Sequence, residues 1–221
     1  MHNPLMSQEN LTKAEFDTHI ANGTCRIAFV GMSNAGKSYR ARVLHREKGF
    51  AWHNVDAEIQ KALGFAHVDD LAPWLGYPSS PTYAAREQEY LHLEDRFTRA
   101  ASEYIGDKNM VFDTTGSVVH LPQATLDTVR TNCLVVHLDV GEDSIHQLIE
   151  KYFTTPKPVC WGEYFTQRNG ENENDALRRC YPALLKARLE KYRALAHVQI
   201  PARELFDVNA DATLAAIRVR L

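Results

Sequence analysis

The residues best suited to chemistry lie in one stretch near the start of the chain, Gly31-Met32-Ser33-Asn34-Ala35-Gly36-Lys37-Ser38, which fits G-x-x-x-x-G-K-[ST] at every fixed position. Glycines in this pattern let the backbone curl so that successive N–H groups face one phosphate chain, and the following helix points its positive end at the same anion. We expect the Lys37 ammonium to reach the β- and γ-phosphates of ATP and the Ser38 hydroxyl to bind Mg²⁺.

The residues around this motif provide the context that a phosphate-binding loop requires. Four apolar residues, Ile27 to Val30, predict a buried strand before it, and Tyr39 to Leu44 predict a helix after it. This context distinguishes the motif from a glycine-containing turn that matches by chance. The residues predicted to contact the nucleotide are Gly31, Ser33, Asn34, Ala35, Gly36, Lys37, Ser38 and Tyr39.

Strands and helices alternate along the rest of the chain. The predicted strands span 27–30, 50–55, 110–112, 133–138 and 198–200. The alternation predicts an α/β fold, a five-stranded parallel sheet flanked by helices, with ligands bound at the carboxyl ends of the strands. Residues 64–82 are too irregular in sequence for a regular element, and the polar, aromatic and Pro/Gly-punctuated segment 153–175 is typical of a mobile flap.

Length and pattern predict one domain, residues 25–221, preceded by an N-terminal helical extension, residues 1–24. Residues 1–10 resemble a frayed start. A capping box at Thr12 and Glu15 then begins a helix that Gly23 ends, and we expect this helix to pack beside the first strand.

Composition limits the partners and the compartment. The formal net charge of −3 provides no basic surface for nucleic acid or an anionic membrane, and no apolar run is long enough to cross a bilayer. No signal sequence opens the chain, and the four cysteines lack C-x-x-C spacing, as in a protein with reduced thiols. We expect a cytoplasmic protein, monomeric or weakly dimeric, whose partner is a small-molecule acceptor.

The motif, together with Val55-Asp56-Ala57-Glu58-Ile59-Gln60-Lys61 and the later Gly64, resembles the shikimate kinases. Two further segments carry the resemblance: Asp113-Thr114-Thr115-Gly116-Ser117-Val118, at the place of the family's triple-glycine turn, and the Arg188-x-x-x-Tyr192-x-x-x-Ala196 helix. The resemblance implies a nucleoside-monophosphate-kinase-like P-loop kinase fold with a substrate-binding segment and a lid at about 153–175. It also implies phosphoryl transfer from ATP to a hydroxyl of shikimate or a related small acid or polyol.

The sequence departs from the family where the acceptor would bind. The family's Asp-x-Asp is Asn54-Val55-Asp56, and its substrate-binding Phe-Arg pair is Tyr83-Ala84, so that arginine is absent. Its triple glycine is Thr114-Thr115-Gly116, and its lid Arg-Pro is Lys157-Pro158. We therefore expect the phosphate machinery to be kept and the substrate pocket to be changed, which leaves shikimate or another small acid or polyol as the acceptor. The alternative is a catalytically impaired regulator that still binds nucleotide; a nucleoside kinase of this fold is disfavoured by the Arg188 helix.

The resemblance assigns candidate roles. Asp56 would orient, and deprotonate, the acceptor hydroxyl, although aspartate at this place is also a common helix N-cap. Gly116 and Arg188 would contact the acceptor; the alternative for Arg188 is a surface charge on a basic helix. Independently of the family, Asp113 follows the neighbouring strand and would replace, near Mg²⁺, the carboxylate lost at Asn54; the alternative is a turn aspartate.

Basic residues of the predicted lid are candidates to neutralise charge on the transferred phosphoryl group. Lys157 is the first, Arg168 would replace it if Lys157 does not reach, and Lys151 is a third. The alternative for each is a solvated loop charge.

Overall fold

In a computed structural model that describes residues 11–221, five parallel strands form a sheet in the order β2-β3-β1-β4-β5. The strands are β1 Arg26–Val30, β2 Ala51–Asn54, β3 Met110–Asp113, β4 Leu134–Asp139 and β5 Val198–Pro201. The predicted α/β fold with a parallel sheet is confirmed. The motif strand β1 lies at the centre, between β3 and β4, so the loop that follows it opens at the middle of the carboxyl edge.

Helices cover both faces of the sheet, as right-handed crossovers between parallel strands require. They are α1 Lys13–Asn22, α2 Lys37–Lys48, α3 Val55–Ala62, α4 Leu71–Leu75, α5 Tyr83–Ser102, α6 Gln123–Asn132, α7 Ile145–Thr154, α8 Glu173–Leu195 and α9 Ala210–Arg218. One core holds apolar residues of α3 to α8, and the other holds those of α1, α2 and α9. No helix of residues 11–221 is long and apolar enough to cross a membrane.

Helix α1 packs on the same face as α2 and α9. Its start is the predicted capping box, in which the Glu15 amide donates to the Thr12 hydroxyl and the Glu15 carboxylate accepts from the Thr12 amide at 2.8 Å. Phe16 is buried in that face's core, and Arg218 of α9 forms two hydrogen bonds with the Asp17 carboxylate, at 2.7 and 2.8 Å. The predicted frayed start at 1–10 lies outside the described residues.

The segment at 64–82 contains a regular element that the sequence did not predict. A 3₁₀ turn at Val68–Asp70 leads into α4, a short helix that contains Pro73. Proline, which has no amide hydrogen, is tolerated here because amide hydrogens in the first turn of a helix have no acceptor within the helix. Leu71 and Leu75 of α4 are buried against α5 and anchor the segment beside the carboxyl edge of the sheet.

Candidate active site

The loop between β1 and α2 has the backbone that an anion cradle needs. Gly31 adopts φ +142° and Gly36 φ +92°, and a Cβ on Gly31 would lie 2.8 Å from the Leu138 carbonyl oxygen. Gly36 is the N-cap of α2 and provides no side-chain cap, so the first amides of this twelve-residue helix face the loop without a side-chain acceptor. These amides and the helix dipole are therefore directed to a phosphate.

Lys37 lies inside this loop. Its ammonium donates to the carbonyl oxygens of Gly31 and Met32, at 2.8 and 3.0 Å, and the residue is buried. Burial lowers the pKa of Lys37, and the nearby Asp56 and Asp113 carboxylates raise it in part. The two carboxylates therefore help to keep the ammonium charged where the phosphates are expected.

Asp113 ends β3, in register with Phe29 of β1 and Asn54 of β2. Its side chain is buried, and its Oδ2 atom has no hydrogen-bond partner among the described residues. Burial, followed by the repulsion of Asp56, raises the pKa of Asp113 to about 6, while Lys37 and the Ser38 hydroxyl lower it in part. A buried carboxylate oxygen without a partner, next to a serine hydroxyl, is a donor set that fits Mg²⁺.

Asp56 is not the helix cap that the alternative interpretation supposed. The cap of α3 is Asn54, whose side-chain oxygen accepts from the Ala57 amide at 2.8 Å. The Asp56 carboxylate instead accepts a hydrogen bond from the Tyr90 hydroxyl at 3.0 Å. Burial raises the pKa of Asp56, and Tyr90, Lys37 and Lys157 lower it in part. The carboxylate is thus available to a reacting group.

A cleft of about 310 Å³ brings together most of the predicted residues. Its walls combine the phosphate loop, the start of α3, one residue of α5, the turn after β3 and the base of the lid. The predicted residues that line it are Ser33, Asn34, Gly36, Lys37, Ser38, Tyr39, Asp56, Gly116 and Lys157, together with Lys151. Tyr90 also lines the cleft, although its position in the sequence did not mark it as a site residue.

The lid lysine and the lid arginine are placed differently. Lys157 lines the cleft and forms an ion pair of 2.8 Å with Asp69, which lies in the 3₁₀ turn before α4. Arg168 is exposed, does not line the cleft, and contacts Glu171 through its backbone amide at 2.9 Å. The structure therefore brings Lys157, and not Arg168, to the phosphate side of the cleft.

The middle of the predicted flap, Val159–Trp161, is buried in the structure. The Tyr83 hydroxyl donates to the Val159 carbonyl oxygen and accepts from the Trp161 amide, both at 2.9 Å. The Trp161 side chain is fully buried among aromatic residues, with Tyr181 at a centroid distance of 5.1 Å. Composition suggested a flap because it does not reveal that these aromatic side chains point into the core.

Arg188 is buried rather than on a solvated helix face. Its Nε donates to Nε2 of His120 at 3.0 Å, and its Nη2 donates to the Cys160 carbonyl oxygen at 2.8 Å. A Cβ on Gly116 would lie 3.6 Å from Arg188 Nη1 and 2.9 Å from Ser33 Oγ, so Gly116 separates the arginine from the phosphate loop. Arg188 lines a small cavity that adjoins the cleft at Ser33 and Lys157.

A second buried carboxylate near the turn after β3, Glu94, was missed by the sequence analysis. It lies one helical turn after Tyr90 on α5, is fully buried, and accepts hydrogen bonds from the hydroxyls of Thr115 and Ser117, the latter at 2.6 Å. Burial raises the pKa of Glu94 to about 7, although both hydroxyls lower it in part. The signal available was a charged residue at a four-residue step from Tyr90, on the apolar face of a helix.

A further cavity, of about 480 Å³, begins on the other side of the phosphate loop. It lies between the start of α2 and the segment after β5. Two aromatic side chains at this cavity are unusually exposed, Tyr39 at 50% and Phe206 at 84%. Such rings provide faces on which a planar base can stack.

Comparison with known proteins shows the fold. No family model matches the sequence, and no curated protein matches it significantly. Among solved structures, the shikimate kinase from Acinetobacter baumannii in complex with shikimate is 23% identical, with a TM-score of 0.59 over 88% of this chain and 91% of that chain. The shikimate kinase from Bacteroides thetaiotaomicron is 17% identical, with a TM-score of 0.60 over 88% of this chain and 97% of that chain. The chain therefore has the P-loop kinase fold of the shikimate kinases.

Proposed function

We propose that this protein is an ATP-dependent small-molecule kinase that transfers the γ-phosphoryl group to a hydroxyl of a small acid or polyol. The observation that carries the proposal is that a phosphate loop with Lys37 and Ser38 shares one cleft with a carboxylate, Asp56, that no helix cap engages. Phosphoryl transfer depends mainly on positioning and on charge stabilisation, and this cleft contains groups for both.

The residues of the phosphate loop would hold the nucleotide. Amides of the loop and of the α2 N-terminus would bind the phosphates, Lys37 would bind the β- and γ-phosphates, and the base would lie against Tyr39 and Phe206. Ser38 and Asp113 would hold Mg²⁺, which when bound neutralises phosphate charge.

Asp56 would act on the acceptor. With one carboxylate oxygen held by Tyr90, the other would accept a hydrogen bond from the acceptor hydroxyl and take its proton as the hydroxyl oxygen bonds to the γ-phosphorus. The bond from the γ-phosphorus to the bridging oxygen breaks, and ADP leaves with that electron pair. Lys157 would stabilise the charge on the transferred group from the lid side.

The test is ADP release from ATP and Mg²⁺ with a panel of cyclic polyols, hydroxy acids, sugars and nucleosides. We expect turnover with one class, reduced by about a hundredfold or more in Asp56→Asn while the affinity for ATP is retained. The matched control is Asp107→Asn, which makes the same change in an exposed turn before β3, at the opposite end of the sheet. Equal turnover in the two variants would contradict the role of Asp56.

One observation favours a second candidate, a nucleotide-binding regulator. Arg188, the cation nearest to Gly116, donates a hydrogen bond from Nη2 to the Cys160 carbonyl oxygen of the lid. The chain itself therefore occupies part of the predicted acceptor site. Binding of ATP with Mg²⁺, without ADP release for any member of the panel, would support the regulator and exclude the kinase.

A further inference from the structure

The acceptor side of the cleft, opposite the phosphate loop, is formed by Asp56, Val68, Tyr90, Thr114 and Gly116. These residues offer a carboxylate, two side-chain hydroxyls, a backbone turn and an apolar side chain. Among the described residues of this wall there is no cation, and the three lysines of the cleft, Lys37, Lys151 and Lys157, come from α2, α7 and the lid. Groups of this kind bind hydroxyls, and they do not attract an anion.

Arg188, the cation nearest to Gly116, already donates hydrogen bonds to acceptors of the protein. His120 takes its Nε, the Cys160 carbonyl takes a hydrogen of Nη2, and only Nη1 lies beside Gly116. A guanidinium can bind a carboxylate through two hydrogen bonds along its side-on edge, which is formed by Nε and one terminal nitrogen. In Arg188 both nitrogens of this edge, Nε and Nη2, donate to acceptors of the protein.

No other cation takes the place of the missing arginine. Residue 84 is alanine, and the nearby Arg86 turns away: its Nη1 donates to the Trp74 carbonyl oxygen at 2.5 Å, and its guanidinium lies 5.9 Å from the Trp74 ring. Lys157 is paired with Asp69. The two arginines discussed, Arg86 and Arg188, therefore both donate to acceptors of the protein itself.

Glu94 adds negative charge behind this wall. It bonds to Thr115 and Ser117, the residues on either side of Gly116, and both partners are hydroxyls that donate to it. The Thr115 hydroxyl also accepts from the Ser117 amide at 3.0 Å, which fixes the turn against the carboxylate. Two carboxylates, Asp56 in the wall and Glu94 behind it, therefore lie on this side of the cleft.

We propose that the acceptor is a neutral polyhydroxylated compound rather than a carboxylic acid. This inference rests on the proposed kinase function and narrows its substrate class. The described residues of the wall provide hydroxyl partners and no cation, and Arg86 and Arg188 donate to protein acceptors. The Asp56 and Glu94 carboxylates would repel an acid in a site that already holds the triphosphate. Like charges at close range in a partly buried site disfavour binding by about tenfold or more.

The test compares acceptors that differ only by –CH₂OH against –COO⁻: glucose with glucuronate, glucitol with gluconate, and shikimate with its hydroxymethyl analogue. ADP release is followed at pH 8, where Glu94 is ionised, for the wild type and for Glu94→Gln. This substitution keeps the shape of the side chain and removes its charge, and it replaces one of the two accepting oxygens by an amide donor to which a Thr115 or Ser117 hydroxyl can turn its oxygen. The matched control is Glu89→Gln, which removes the same charge from an exposed position of α5.

We expect the neutral member of each reacting pair to have a kcat/KM about tenfold or more above that of the acid, and Glu94→Gln, but not Glu89→Gln, to reduce this ratio by about threefold or more. A preference for the acid, or a ratio that Glu94→Gln leaves unchanged, would overturn the inference while leaving a working kinase. ATP binding with no ADP release from these pairs or from the wider acceptor panel would overturn the kinase and the inference with it. Circular dichroism and ATP affinity establish that each variant is folded.

Discussion

Replacing Glu94 by glutamine should change how the stability of the protein depends on pH. The side chain is fully buried and has no basic partner in direct contact; its hydrogen-bond partners are the hydroxyls of Thr115 and Ser117. Burial raises the pKa of this carboxyl from its usual 4.5 to about 7. The folded state therefore binds a proton more tightly at Glu94 than the unfolded state does, and the free energy of unfolding must fall as the pH rises from about 4.5 to 7.

The size of the effect follows from the shift in pKa. Each pKa unit corresponds to about 1.4 kcal/mol, so the shift corresponds to a loss of about 3 kcal/mol across this pH range. Glutamine does not ionise and lacks this loss. The free energy of unfolding of Glu94→Gln, relative to the wild type, should thus rise by about 3 kcal/mol between pH 4.5 and pH 8.

Urea denaturation at half-unit steps from pH 4.5 to pH 8 measures this difference, with Glu89→Gln as the control of equal charge change. Other titrating groups, including the buried His120 and His137, are common to the proteins compared and largely cancel in it. A difference between Glu94→Gln and wild type that stays constant with pH would refute the reasoning, because it would show that Glu94 titrates alike in the folded and unfolded states. A difference that falls with rising pH would show that a cation stabilises the charged form.

Three further changes test the cleft. Tyr90→Phe removes the hydrogen bond that stabilises the charged Asp56, so the acidic limb of the kcat/KM profile should move up by about one pH unit; an unmoved limb would separate Tyr90 from the reacting carboxylate. Asp113→Asn should raise the Mg²⁺ concentration for half-maximal activity by about tenfold, because carboxylate oxygen is a preferred ligand of that ion, and an unchanged titration with Mg²⁺ would assign Asp113 to the turn alone. Lys157→Gln should lower kcat by about a hundredfold, because it removes the ammonium that stabilises the transferred group. Asp69→Asn removes only the ion-pair partner of Lys157 and should leave kcat within about threefold of the wild type. Similar losses of kcat in both variants would indicate that catalysis depends on the ion pair and not on the ammonium alone.

The parts of the site that the sequence predicted are those encoded locally. The phosphate loop is recognised from the spacing of Gly31, Gly36 and Lys37 within one short stretch of sequence. The strand before it and the helix after it are predicted from the residues next to the loop. Asp113 was predicted because it follows a neighbouring strand and the carboxyl ends of parallel strands meet at one edge of a sheet, whereas Asp56 was predicted from the resemblance. The register of β3 places Asp113 beside Asn54 and Phe29.

The parts that the sequence did not predict depend on contacts between distant segments. Tyr90 reaches Asp56 across 34 positions and Glu94 reaches Thr115 across 21, and nothing in the local pattern of α5 points to these partners. The same holds for the flap: the Trp161 amide donates to Tyr83, 78 positions earlier, and the Trp161 ring packs against Tyr181. Composition alone marks such a segment as polar and aromatic, and does not show which side faces the core.

The rebuilt acceptor side distinguishes a changed substrate from a decayed site. When a binding site loses its function without replacement, buried polar groups that once faced a ligand are left without partners, each at a cost of about 1–3 kcal/mol. Here Thr115, at a glycine position of that family, donates to Glu94, which also accepts from Ser117. Asn54 caps α3, while the carboxylate two residues later stays in the cleft. Substitutions that satisfy one another around an available base are those expected of a kinase adapted to another acceptor, and they favour the kinase over the regulator.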